Sequence, residues 1–184
     1  MAVPLNPAAL LAHMQTLNGH QVVTQQLTAA SAPWPAPVGA DAWTRCSRRM
    51  GCRKFTQQPA ASGYPQPRIA YPGQPAGQSA RYYVQRVWAA VNAGRVLDAD
   101  EEGSHLCGNK LCVVQNHVLA ESGPYNKSRD TCKYFLFEKL PHEDPAASYL
   151  CVHQPPCLYA VDLALQAAAA AGNPVAIPNH HHVY

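Results

Sequence analysis

The sequence is poor in charged residues and has no long apolar run. Only 14% of its 184 residues are charged, and 14 basic against 11 acidic side chains leave a net charge of +3. No segment approaches the roughly 20 apolar residues of a membrane helix. Residues 1–18 lack the basic start and apolar run of a secretory signal. We therefore expect no membrane span, no signal peptide and a reducing compartment.

The cysteines do not come in an even number. There are seven, which speaks against a complete disulfide framework. The 17 prolines and 11 glycines predict much loop structure. Long loops in a small domain need a stabilising device, and bound metal can supply it.

Acidic residues are absent between Asp41 and Asp98. The same segment carries nine basic residues, interleaved with glutamines and tyrosines: Arg45, Arg48, Arg49, Arg53, Lys54, Arg68, Arg81, Arg86 and Arg95. Positive charge without counter-charge indicates a nucleic-acid surface. A solvated basic face is the alternative, and the length of the acid-free segment favours nucleic acid.

Local patterns predict short elements of both types. Helical spacing of apolar residues covers 4–17, with Pro7 at the first helical position. A Pro-rich linker follows at 31–39. Strands are predicted at 49–57, 66–71 and 80–87. Helices are predicted at 87–93, 125–131 and 161–171, of which the first is ended by Gly94 and the last by Gly172. Residues 98–102 are predicted to be an exposed turn, and 133–150 a spacer with a strand-like start.

Cysteine and histidine occur in two sets with the spacing of zinc ligands. Thiolate and imidazole are the donors of tetrahedral Cys3His sites. The second set is complete, with Cys132, Cys151, His153 and Cys157. The first set offers Cys107, Cys112 and His117 and takes its fourth ligand from Cys46 or Cys52, of which we favour Cys52 because a strand-like segment flanks it. Buried free thiols are the alternative, but they rarely cluster twice with histidines in this way.

His105 is left over beside the first set. A histidine near a metal loop but surplus to it is a candidate for chemistry, because neutral imidazole accepts protons near pH 7. In the alternative arrangement His105, and not His117, ligates the zinc.

The ordered motifs resemble a known family. Three motifs, in this order, are similar to the His-Cys box. They are Ser104-His-Leu-Cys-Gly-Asn-Lys-Leu-Cys112 followed after four residues by His117, then Asn126-Lys127-x-Arg129-x2-Cys132, and then Cys151-x-His-x3-Cys157. That box belongs to homing endonucleases encoded by introns of nuclear ribosomal DNA, within the ββα-metal (His-Me finger) nucleases. Within this family, the sequence resembles the homodimeric slime-mould members. The likeness is strong over 103–157 and looser over 50–95.

The resemblance implies an α+β fold, a small loop-rich mixed structure with antiparallel sheets, a ββα-metal core and two structural zinc sites. It implies one domain over 1–184. Its parts would be an N-terminal helix and linker (1–44), a DNA-binding β-sheet region (45–95), a zinc-stapled catalytic core (96–160), and a helix with a dimer tail (161–184).

The resemblance also implies roles for three residues. His105 would be the general base that activates water, and Asn126 the only protein ligand of a catalytic Mg²⁺. Arg81 would grip the scissile phosphate. Alternatively, Asn126 is a turn or helix-cap residue and Arg81 one more backbone-binding arginine. The expected activity is magnesium-dependent phosphodiester hydrolysis at a specific DNA site, giving double-strand breaks with 3′-OH and 5′-phosphate ends.

The expected partner is double-stranded DNA, at a ribosomal DNA site. A sheet in the major groove would read bases through side chains of the acid-free segment. The motif that contains Asn126 supplies two further candidate DNA contacts. Together these residues are Arg53, Lys54, Gln66, Arg68, Tyr83, Gln85, Lys127 and Arg129. Two strands need two active sites, so we expect a homodimer. The resemblance implies that its C-terminal tails, 173–184, exchange between subunits; a frayed tail is the alternative. The resemblance places the protein in the nucleus.

Two other functions compete with cleavage. One is a zinc-stapled DNA-binding protein without nuclease activity, either a transcription regulator or a degenerate endonuclease. The other is a structural zinc protein that binds proteins, and the acid-free segment speaks against it. The pair His105 and Asn126 favours the nuclease, because a pure binder needs neither.

Overall fold

A computed structural model describes residues 7–33, 42–69, 80–134 and 151–172. Within them lie six α-helices and six short strands. The helices are α1 (Pro7–Met14), α2 (Leu17–Ala29), α3 (Ala42–Arg49), α4 (Val84–Ala93), α5 (Gly123–Tyr134) and α6 (Leu158–Ala170). The strands are β1 (Ser31–Pro33), β2 (Arg53–Phe55), β3 (Arg68–Ile69), β4 (Ala80–Arg81), β5 (Glu101–His105) and β6 (Val118–Ser122). The fold is α+β, with the small antiparallel sheets that were predicted.

The strands form three antiparallel pairs. β1 pairs with β2, β3 with β4, and β5 with β6. The β5–β6 ladder is the longest, running from Glu101 opposite Ser122 to His105 opposite Val118. Helix α5 follows β6 without a gap and packs against both of these strands. Residues 101–134 therefore form a hairpin followed by a helix, and the hairpin's long connection carries the first Cys/His set.

Helix α4 covers the face of this hairpin where Gly103 lies. A Cβ atom on Gly103 would come within 2.3 Å of the Gln85 carbonyl oxygen, so only glycine lets helix and strand approach this closely. Trp88, 1% exposed, donates its indole N–H to the Val113 carbonyl at 2.9 Å. These contacts place the main apolar core between α4, the hairpin and helices α1 and α2.

A second buried cluster joins the cysteines to α6. Its members include Cys46, Leu106, Leu158 and Tyr159. Strand β2 attaches to this cluster through its backbone, since Phe55 donates to the Leu111 carbonyl at 2.9 Å and Val113 to the Arg53 carbonyl at 3.1 Å. A segment 50 to 60 residues upstream of the metal loop is thereby fixed against it.

Several predicted elements differ in the structure. The strand predicted at 80–87 is wrong beyond Arg81, because Val84, Val87 and Trp88 are buried at helical spacing and begin α4. The strand predicted at 49–57 shortens to β2, since α3 runs to Arg49. The turn predicted at 98–102 contains the start of β5.

The C-terminal ends of α4 and α6 agree with the prediction to within one residue. Gly94 ends α4 with a left-handed φ of 69°. The helix predicted at 4–17 is α1, but α2 was not predicted; Thr16 caps it by accepting from the Gly19 N–H at 3.0 Å. The helices predicted at 125–131 and 161–171 correspond to the longer α5 and α6. The predicted features at 34–39, 70–71, 135–150 and 173–184 lie outside the described residues.

Among the described helices, none combines the length and the apolar character needed to cross a membrane.

Candidate metal centres and catalytic site

The first Cys/His cluster gathers ligands from two distant segments. Cys52 lies just before β2, Cys107 and Cys112 lie in the hairpin connection, and His117 lies just before β6. Their ligand atoms all lie within 4.8 Å of one another, and all four residues are buried. The Nδ1 atom of His117 is 3.6 Å from the Cys52 sulfur and 3.5 Å from the Cys112 sulfur.

These separations are those of a tetrahedral zinc site. Bonds of about 2.3 Å to sulfur and about 2.0 Å to nitrogen, at the tetrahedral angle, put sulfur and nitrogen about 3.6 Å apart. The donor set and its spacing therefore fit Zn²⁺. Between the two candidates for the fourth position, the structure brings in Cys52. The buried thiol of Cys46 hydrogen-bonds instead to Asp162.

One thiol of this cluster, that of Cys112, favours its charged form. Burial by itself would raise the pKa of Cys112, but hydrogen bonds from the Cys107 and Cys52 thiols and from His117 lower it well below its usual range. This shift favours the thiolate, which is the form that binds metal.

The second cluster joins the end of α5 to the start of α6. Cys132 comes from α5, Cys157 is the N-cap of α6, and Cys151 and His153 lie between them. Their ligand atoms also lie within 4.8 Å of one another. The Nδ1 atom of His153 is 3.6 Å from the sulfurs of both Cys151 and Cys157. This spacing again matches tetrahedral zinc.

The second imidazole is held by a hydroxyl on its far side. Ser128 donates to the Tyr125 carbonyl at 2.6 Å, so its oxygen accepts from the Nε2 of His153 at 2.8 Å. A proton on Nε2 leaves the Nδ1 lone pair for the metal, as in many histidine ligands. The Tyr125 ring meets the His153 ring edge-on at 5.3 Å. Residues of α5 thus orient a ligand of the second site.

His105 is the surplus histidine, at the end of β5 and 8% exposed. Its Nε2 donates to the carbonyl oxygen of Cys112 at 3.1 Å. Because a carbonyl only accepts, the proton sits on Nε2 and Nδ1 keeps its lone pair. Burial lowers the pKa of His105, so the ring is neutral at physiological pH. The Tyr64 ring stacks on it at 6.1 Å between centroids.

Asn126 lies in the first turns of α5 and is half-buried. Its Nδ2 donates to the Oε2 of Glu102 at 2.7 Å, and among the described residues no hydrogen bond reaches its carbonyl oxygen. Asp130 follows one helical turn later, on the same face of α5. Asp130 raises the pKa of His105 electrostatically, and both Asp130 and Glu102 raise that of Tyr64 after the larger effect of burial. Asn126 and His105 therefore border one acidic neighbourhood.

Residues 49–168 match the model of a protein family described as the zinc-binding loop region of homing endonucleases. The chain belongs to this family. Comparison with individual curated proteins and with solved structures gives no match. Membership supports a zinc-binding, DNA-directed nuclease-type function.

Three residues of this candidate site were not assigned to it from the sequence: Tyr64, Glu102 and Asp130. Asp130 carried a usable signal, since it lies four residues after Asn126 on a predicted helix. Glu102 carried none, because its segment was predicted to be a turn and not a strand. Tyr64 reaches the site only through the fold.

Two residues predicted to bind DNA, Arg129 and Gln85, are buried, so the structure does not present them on a surface. Arg129 is 2% exposed and forms an ion pair with Glu121. It also donates to the Pro155 carbonyl at 2.9 Å and to the Cys157 sulfur at 3.4 Å. Gln85 is 7% exposed because it lies in α4 beneath the hairpin, not on a strand.

The other predicted DNA contacts lie nearer the surface. Arg68 and Arg81 are exposed and directly opposite each other in the β3–β4 pair, and Lys127 is exposed on α5. Arg53 is half-buried and donates to the Ser31 hydroxyl at 3.2 Å. Lys54, Gln66 and Tyr83 are also half-buried. Within the described ranges, no hydrogen bond joins Arg81 to His105 or Asn126.

Proposed function

We propose that this protein cuts both strands of a specific DNA site by hydrolysing phosphodiester bonds, with His105 as the general base. The observation that carries the proposal is the state of His105: a buried, neutral imidazole with its Nε2 proton held by the Cys112 carbonyl. A ring fixed in this way presents one lone pair, on Nδ1, and can take a proton from water.

The oxygen-bearing pair Asn126 and Glu102 fits the proximity of a hard divalent cation. The carbonyl oxygen of Asn126 is a ligand type that Mg²⁺ prefers, and the nearby carboxylate of Glu102 adds negative charge that favours a cation. A bound Mg²⁺ would supply charge stabilisation for the pentavalent phosphate and for the leaving 3′ oxygen. With the 3′ oxygen as leaving group, the products carry 3′-OH and 5′-phosphate ends.

The residues of this chain would perform the remaining work. His105 Nδ1 accepts the proton of the attacking water. The Cys112 carbonyl accepts from His105 Nε2 and stabilises the imidazolium that forms. Since Cys112 is a ligand of the first cluster, zinc at that cluster would fix the carbonyl that orients the base.

The exposed arginines of the β3–β4 pair support a DNA surface. Arg68 and Arg81 are cross-strand neighbours, and like charges in this position are destabilising by themselves. An anionic backbone bound across the pair would compensate that repulsion. We assign the scissile-phosphate contact to Arg81 and backbone contacts to Arg68 and Lys127.

Assembly and location complete the proposal. A break in both strands needs two copies of His105, which a symmetric homodimer supplies. The dimer would act in the nucleus on a ribosomal DNA site, with the tails at 173–184 exchanged between subunits.

The test is cleavage of plasmids that carry ribosomal DNA, with Mg²⁺ and with EDTA. We expect site-specific linearisation that EDTA abolishes. The His105→Ala variant should bind DNA as the parent does and cut roughly 10²–10⁴-fold more slowly. His20→Ala, which removes a histidine bonded to Gln115, is the matched control and should cut normally. Tight, specific binding by the parent without cleavage would identify a non-catalytic DNA-binding protein instead.

A further inference from the structure

A carboxylate lies against the amide of Asn126 without a basic partner of its own. Glu102 extends from β5, and its Oε2 accepts from the Asn126 Nδ2 at 2.7 Å. In the part of the chain that the structure describes, no ion pair includes Glu102. Its neighbours differ: Glu101 pairs with Arg95, and Glu121 pairs with Arg129.

The register of the hairpin explains this difference. Glu102 and Glu121 are directly opposite in the β5–β6 pair and therefore share a face of the sheet. Two like charges in that position are tolerated because Arg129 neutralises Glu121. No such neutralisation reaches Glu102 from a described side chain. The site keeps a negative charge beside the only side-chain carbonyl that the family resemblance assigns to the cation.

The hydrogen bond also decides which end of the amide is free. A carboxylate can only accept, so it bonds the –NH₂ end of Asn126 and turns the carbonyl oxygen away from itself. The bond crosses from β5 to α5, where Gly123 leaves room: a Cβ there would lie 3.3 Å from the Glu102 Oε1. Without the carboxylate, the amide could rotate and present its –NH₂ group, which cannot bind a cation.

We propose that Glu102 is a positioning residue of the divalent-cation site, which holds the Asn126 carbonyl oxygen toward the cation and raises the cation affinity through its own charge. This inference rests on the proposed nuclease function, because it deepens the same site. A purely structural role is the competing explanation: a carboxylate beside the first turn of α5 also stabilises the helix through its dipole.

The test measures cation binding directly. Mn²⁺ is titrated into the zinc-loaded protein and followed by electron paramagnetic resonance, and Asn126→Ala defines the site by abolishing its signal. We expect Glu102→Ala to weaken that site roughly 10–100-fold, as loss of a residue that orients a ligand typically does. Glu102→Gln keeps an acceptor but removes the charge, and should weaken binding by less than Glu102→Ala. Asp100→Asn, the same charge change two residues away, should bind Mn²⁺ as the parent does.

Three outcomes would overturn the inference: parental Mn²⁺ affinity in both Glu102 variants, a lower melting temperature without loss of affinity, or no Asn126-dependent site in the parent. The proposed function fails separately. A parent that binds Mn²⁺ through Asn126 and Glu102 but cuts no DNA would refute the nuclease and leave Glu102's role intact. A parent that cuts DNA, with Glu102 variants that bind Mn²⁺ and cut as it does, would refute only the role of Glu102.

Discussion

Replacing Arg129 by methionine should destabilise the protein strongly and leave its DNA-binding surface unchanged. The guanidinium is 2% exposed and Glu121, its partner, is 9% exposed. Burial lowers the pKa of Arg129, but the hydrogen bonds that it donates to Glu121 and to the Cys157 sulfur, together with the charges of both residues, raise it further than burial lowers it, so the guanidinium stays charged. Arg129→Met leaves the Glu121 carboxylate buried and unpaired.

The expected cost follows from that unpaired charge. Breaking a buried ion pair by removing one partner costs about 3–5 kcal/mol. For a chain of this length, each kcal/mol lowers the melting temperature by about 2–4 °C, so the loss should be about 6–20 °C. The variant also loses the bonds to Pro155 and Cys157, which connect α5 to the second cluster.

The assay is thermal melting at a fixed, saturating zinc concentration, because bound metal itself shifts the melting temperature. Arg95→Met is the matched control: it breaks the ion pair to Glu101, where the arginine is 49% exposed. Exposed pairs contribute at most about 1 kcal/mol. The double variant Glu121→Leu with Arg129→Met removes both charges and should recover most of the lost stability.

One result would refute this reasoning. If Arg129→Met melts like the parent and binds DNA more weakly, then Arg129 contacts DNA and its burial in the ion pair does not describe the protein in solution.

Further predictions concern the metal sites, the base and the DNA surface. Cys107→Ser should lower the melting temperature and reduce the bound zinc, measured by elemental analysis, from two ions to one per chain, whereas Cys46→Ser should keep both ions. Equal zinc content in the two variants would contradict the assignment of the first cluster. Because burial lowers the pKa of His105, the cleavage rate should stay constant at neutral pH and fall only below the ordinary histidine range, as the ring protonates. A cleavage rate that already halves above pH 7 would contradict a buried base. Arg68→Ala should weaken DNA binding uniformly across sequences and reduce the slope of log affinity against log salt by about 1, the loss of one phosphate contact; an unchanged slope would remove Arg68 from the DNA surface.

The zinc clusters were predictable because most of their ligands lie close together in sequence. Cys151, His153 and Cys157 fall within one short loop, and their spacing alone indicates a shared metal. The choice of Cys52 over Cys46 was harder. It depended on β2 running beside the metal loop, which a strand-like segment suggested but did not prove.

The positions of Glu102, Gln85 and Arg129 were not predictable in the same way. Each depends on which face of an element meets another element. Alternation of polar residues after Arg81 favoured a strand, and the burial of Val84 and Trp88 against the hairpin favoured a helix and prevailed. A basic residue three positions after Asn126 suggested DNA contact, but Arg129 donates to the Glu121 carboxylate of β6.

The second cluster has a consequence for how this chain can change over evolution. Cys132 and Cys151 meet at one metal position, so the segment of eighteen residues between them has both ends anchored at the same point. The entropic cost of closing a flexible loop rises slowly, by only about 0.6 kcal/mol for each doubling of its length. Insertions between these two cysteines should therefore add little to the free energy of the folded state. A metal bound by the second cluster would keep them from displacing α5 or α6. The segment 133–150 is therefore the natural place in this protein for length to vary, and for an engineer to graft a peptide or a second domain.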